Sequence, residues 1–139
     1  MLKVKKARPS FNGIFATFET FEKDQYNENG ILVYSKGTIK PWQRIIAVGP
    51  FVKNVKEGDL VRVNYTKYAV HKYEENSIKR DMMEDHIVRF EIPFEYIDDK
   101  KCMYIQDNDI LVIYDEAEEI EYDKKPASDI VIVKDQIIS

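Results

Sequence analysis

Few residues of this chain combine the types and spacings that covalent or metal chemistry needs. His71 and His86 stand in different contexts, and neither has a second His or Cys at ligand spacing, so no zinc site is expected. Cys102, the single cysteine, lies in an alternating apolar segment, which predicts a core residue rather than a nucleophile. Carboxylates crowd into residues 115 to 123, where six of nine positions are acidic. Such a run repels itself and stays solvated instead of forming a defined acid–base pair. Asp107-Asn108-Asp109 lacks both the spacing and the central Gly of a calcium loop. No two glycines fall in a GxGxxG or GxxxxGK frame, and Gly49-Pro50 reads as a turn rather than a phosphate cradle. The expectation is a protein without catalysis, cofactor or metal.

The remaining chemistry-bearing cluster is aromatic. Tyr65, Tyr68 and Tyr73 lie near Lys67 and Lys72, a combination that in a single-strand-binding barrel stacks bases and neutralises phosphates. The charge balance argues otherwise. The net charge is −4, and residues 115 to 139 hold eight acids against three bases, leaving the rest nearly neutral. No basic stripe exists, so nucleic acid is not an expected partner. The tyrosines read instead as strand-edge residues with their hydroxyls in water.

The elements that position these residues follow from composition and punctuation. At 139 residues the chain fits one domain with a core large enough to fold without disulfide or metal. Seven Phe and nine Tyr against five Gly and five Pro favour strands with bulky side chains. The lone cysteine fits a reducing compartment. The Met1-Leu2-Lys3-Val4-Lys5-Lys6 start has no apolar stretch behind it, and no apolar run nears membrane-spanning length, so a cytoplasmic protein is expected.

Residues 8 to 22 place Phe11, Ile14, Phe15, Phe18 and Phe21 at helical spacing, while Gly13 and the aromatic, β-branched content argue for a strand; the local pattern leaves both open, and the segments that follow favour the strand. Residues 23 to 30 are a polar loop, followed by apolar Ile31-Leu32-Val33-Tyr34 and polar Ser35-Lys36-Gly37. Strands are predicted over 42 to 48 and 60 to 65, around a turn at 55 to 59. Asn76 or Ser77 is placed to cap a short helix through Ile78, Met82 and Met83. Residues 90 to 97 read as a strand that Pro93 confines to an edge or a bulge. Cys102 to Ile105 and Ile110 to Tyr114 make two more strands around a turn at 106 to 109. After the acidic run, Ile130-Val131-Ile132-Val133 is a short β-branched piece that must pair with something to avoid aggregation. Two regions are predicted: a barrel domain over 1 to 114 with an insertion at 67 to 89, and an acidic linker with a strand-like extension over 115 to 139.

Taken in order, several segments resemble the chaperonin-10 family, the GroES-like co-chaperonins. Arg8-Pro9 before Ile14-Phe15-Ala16 resembles the family's opening "RPL…V.V" strand, and Gly30-Ile31-Leu32-Val33 is similar to its "GGIVL" mobile-loop segment. Ile46-Ala47-Val48-Gly49 matches "VLAVG", Val55 to Val61 matches "VKVGDIV", and Ile105 to Ile113 resembles "IMSESDILAIV". The resemblance covers residues 8 to 65 and 90 to 114. It implies an all-β fold: a partly open, irregular GroES-like β-barrel with a long mobile loop. It further implies a homo-oligomeric ring, a heptamer, that caps a chaperonin whose own subunits bind the ATP. The contact residues it implies are Ile31, Leu32 and Val33, an apolar tripeptide that orders on docking and gains avidity from repetition around the ring. Read without the resemblance, residues 31 to 34 are an ordinary short strand. The chain departs from the family in three places. Only residues 50 to 54 stand where members carry a longer roof segment, residues 67 to 89 are extra, and the tail continues past the usual end, as in diverged phage-type relatives. The alternative is an assembly protein, such as one of a virion, that uses the barrel as an oligomerisation module and holds residues 23 to 37 in order.

Overall fold

The computed structural model describes residues 1 to 76 and 79 to 125. All of its regular elements are strands, apart from two single 3-10 turns at Thr66–Tyr68 and Asp107–Asp109. Among the described residues no helix is long and apolar enough to cross a membrane.

The chain divides into two compact units. The first comprises Met1–Phe18 and Pro41–Asp115. Its main feature is one open, irregular, antiparallel six-stranded sheet. In chain order the strands are β1 (Gly13–Thr17), β4 (Trp42–Val48), β5 (Leu60–Val63), β8 (Phe94–Ile97), β9 (Lys100–Gln106) and β10 (Ile110–Tyr114). Across the sheet they run β10-β5-β4-β1-β9-β8. β1 is central, pairing with β4 on one side and β9 on the other, with Ile14 opposite Val48 and Ile105. That position accounts for its unbroken Ile14-Phe15-Ala16 run, because a strand buried on both faces needs no polar alternation.

One face of the sheet holds Ile14, Ala16, Ile45, Val61, Met103 and Ile105, all essentially without solvent. An open sheet empties a face of water this completely by twisting and curling on itself. The other face packs Phe15, Ile97 and Cys102, with Val4, Ala7, Ala47 and Tyr104 around them. Cys102 is therefore a core residue, and burial pushes its thiol above the ordinary range. Gly49 allows the chain to close this unit: a Cβ there would run into the Phe11 carbonyl, which accepts the Phe51 N–H at 3.1 Å.

The turn after β9 is fixed by a buried carboxylate. Asp109 accepts the Gln106 N–H at 2.9 Å and the Tyr68 hydroxyl at 2.6 Å, and pairs with the Lys67 ammonium at 2.9 Å. Gln43, also buried, accepts the Thr17 hydroxyl at 2.7 Å and is a hydrogen-bond partner of Tyr65.

Two expectations change here. Residues 76 to 83 do not make a helix where described. β6 (Ala69–Asn76) and β7 (Lys79–Phe90) form a separate antiparallel hairpin, and Met82 and Met83 lie in β7. The two strands pair from Ala69 opposite Phe90 to Asn76 opposite Lys79, and this long-range backbone pairing outweighs a cap signal worth about 1 kcal/mol. The strand predicted over 90 to 97 splits, with Phe90 ending β7 and β8 beginning at Phe94. Pro93 stands between them, and its carbonyl accepts the Tyr104 N–H at 2.8 Å. β8 is an edge strand, where a residue without an N–H costs no ladder bond.

The second unit comprises Glu19–Lys40 with the described residues from Glu116 onward. It contains the two-stranded pair β2 (Gln25–Tyr26) and β3 (Leu32–Tyr34), and an isolated bridge between Thr20 and Ile39. The apolar piece at 130 to 133 lies outside the described residues.

Candidate docking surface

The segment read from sequence as a polar loop over 23 to 37 is a hydrogen-bonded hairpin. Its turn is organised by Asn27, whose side-chain oxygen accepts the N–H groups of Asn29 at 2.9 Å and Ile31 at 3.0 Å. The Asn27 N–H donates to the Ile31 carbonyl, and Gly30 takes the left-handed conformation at φ +76° that lets the chain return. Asp24 closes the other end by accepting the Lys36 N–H at 2.8 Å. These are local asparagine and aspartate turns, which the sequence KDQYNENG carries but which a loop reading passes over.

The hairpin is anchored on one aromatic contact. Tyr34 stacks on buried Phe21 with ring centroids 5.0 Å apart, and the Lys40 ammonium lies 5.8 Å from the Phe21 ring. The Phe21 N–H and carbonyl bond to Thr38 and Gly37. Leu32 shares the Tyr34 face of β3 and Val33 lies on the opposite one, and the strand is covered on neither side at these positions. Ile31, Leu32 and Val33 are 60%, 49% and 50% exposed. Covering their remaining apolar surface is worth about 1 kcal/mol each, roughly half the value of full burial. The structure therefore leaves the three sequence-predicted contact residues about half exposed or more, with Leu32 and Val33 on alternate faces of β3.

The other candidates fare differently. His71 lies exposed on β6, and among the described residues no three His, Cys, Asp or Glu side chains are grouped to hold a metal. The aromatic cluster near Lys67 is committed to the fold. Tyr65 is half-buried and bonded to Gln43, with its hydroxyl pushed up to about 12 by burial. Burial and then the Asp109 carboxylate also hold the Tyr68 hydroxyl above its ordinary value. Neither ring is free for a base to stack on both faces.

Sequence reading missed two further apolar exposures. The first lies along both sheet edges: Phe94 and Tyr96 on β8, and Leu111 and Val112 on β10. A register irregularity between Ile110 and Val112 turns Leu111 outward, so the run ILVIY is continuous in sequence without being buried on both faces. The second is the pair Phe11 and Phe51, both exposed, with rings 5.7 Å apart and Phe11 itself at φ +50°. The sequence signal for it was the short 50 to 54 connection, which leaves Phe51 no core to enter.

No family model matches this chain, and no curated protein matches it.

Proposed function

We propose that this chain is a non-catalytic docking protein of the co-chaperonin kind its motifs resemble, working in the cytoplasm. Ile31, Leu32 and Val33 seat in an apolar groove on a chaperonin ring. The ATP belongs to that partner, and homo-oligomerisation, to a heptamer if the resemblance holds, multiplies contacts that are individually weak. The observation that carries the reading is the contiguous exposed tripeptide on a hairpin whose turn and anchor leave it facing solvent. Motif order along 8 to 65 and 90 to 114 supports the same reading. Mixing the chain with a chaperonin and ATP and running gel filtration tests it: co-elution is expected, and its absence with every chaperonin tried would sink the idea. Leu32→Asp should abolish co-elution while leaving the melting temperature unchanged, because an unpaired charge is costly only in the docked state.

A second reading has an observation of its own. Residues 23 to 37 form a hydrogen-bonded hairpin, and both edges of the six-stranded sheet are unpaired among the described residues while carrying exposed apolar side chains. An assembly module that builds oligomers through its edges fits those features. Stable oligomers together with no chaperonin binding would favour it.

A further inference from the structure

A pair of strands two and three residues long does not hold itself together in water. Within the same unit, the acidic segment 116 to 125 supplies three anchors along the length of the hairpin. At the base, the Lys40 ammonium lies 3.4 Å from Glu119 and 4.0 Å from Glu19. Next, Lys23 pairs with Glu121 at 2.9 Å. Near the tip, the Lys125 N–H donates to the Gly30 carbonyl at 3.1 Å. Between these contacts Ile120 and Tyr122 stay exposed. The approach at the tip is close enough that a Cβ on Gly30 would run into Lys125.

We propose that residues 116 to 125 are an electrostatic strap that preorganises the hairpin and so presents Ile31, Leu32 and Val33 already extended. The strap grips Gly30, the residue immediately before the tripeptide, yet leaves all three apolar side chains about half exposed or more. It therefore orders the docking residues without hiding them. Ordering a backbone costs about 1–2 kcal/mol per residue, and a segment ordered before docking does not lose that freedom on binding. The Glu121 hydrogen bond and charge, aided by Asp123, hold the Lys23 ammonium above its ordinary range. This gives the acidic run a role that its composition alone, read as solvated and self-repelling, did not.

The consequence for affinity rests on the docking reading, but the strap is testable without any partner. Amide exchange is measured on the full chain and on Glu119→Lys/Glu121→Lys. These side chains are well exposed, so the variant keeps its fold. Phe21, Asn27 and Gly37, whose N–H groups bond within the hairpin, should exchange roughly threefold to tenfold faster in the variant, the range expected from losing two exposed ion pairs. Lys23→Glu combined with Glu121→Lys should recover protection that Glu121→Lys alone loses. Raising salt from about 0.05 M to about 0.5 M should speed exchange in the native chain and narrow its difference from the variant. Equal exchange in native and variant chains at low salt would overturn the strap and leave the docking reading standing. Altered exchange with no chaperonin binding by the native chain would do the reverse.

Discussion

Single side chains in this protein are legible when their partners are local and misleading when the partner is distant in sequence. Asp109 lies in what sequence shows only as an acidic turn. Its role comes from Tyr68 and Lys67, some forty residues earlier. Replacing it with Ala strands a hydroxyl, an ammonium and a backbone N–H together, and should cost about 3 kcal/mol of stability in urea unfolding, with Asn recovering part of it. Tyr65 makes a second test. Its hydroxyl is raised to about 12 because burial disfavours the phenolate. An acid whose folded value is raised contributes stability that is full below its unfolded value of about 10 and is lost as pH rises toward 12. Thermal melts from pH 8 to 11.5 should therefore fall, and Tyr65→Phe should shallow that fall. A variant with the native slope would remove Tyr65 as a cause.

At the scale of elements, turns and strands are decided by how close other backbone comes. Gly49 and Gly58 look alike in sequence. Gly58 takes φ +93° with open space around it, so Ala there should cost only about 1 kcal/mol of backbone strain. Gly49 is packed against the 10 to 11 backbone, so Ala must push two loops apart and should cost more, about 2–3 kcal/mol. Chemical denaturation of the two variants checks the order, and equal losses would contradict the close approach. β4 and β10 coincide with their predicted spans because their apolar runs have only one way to be buried or paired. β6 and β7 were missed because Asn76 and the polar residues around it resemble a helix start. A long-range pairing such as Ala69 with Phe90 has no local signature.

For the molecule as a whole, the open sheet edges set the question of assembly. Leu111 and Val112 are exposed on β10, and an edge of this kind needs a partner or a charge to stay unassociated. If the chain forms its ring through that edge, Leu111→Lys/Val112→Lys should convert oligomer to monomer in native mass spectrometry without altering the hairpin. An oligomer unchanged by both lysines would place the contact elsewhere.

The sequence by itself located β4, β5, β9 and β10 and marked Cys102 as core. Period, β-branching and Gly or Pro punctuation are local properties, and they suffice for these. Ile31, Leu32 and Val33 were singled out by the family resemblance, since the apolar island alone reads as a short strand. Only the tertiary structure decided that this island belongs to a hydrogen-bonded hairpin anchored by the Phe21–Tyr34 stack. It decided too that the acidic segment beyond residue 115 is bound to that hairpin by Lys23, Lys40 and Gly30. The reason is distance along the chain. Those contacts join residues about eighty to a hundred positions apart, and whether a charge is solvated or paired depends on what folding brings beside it.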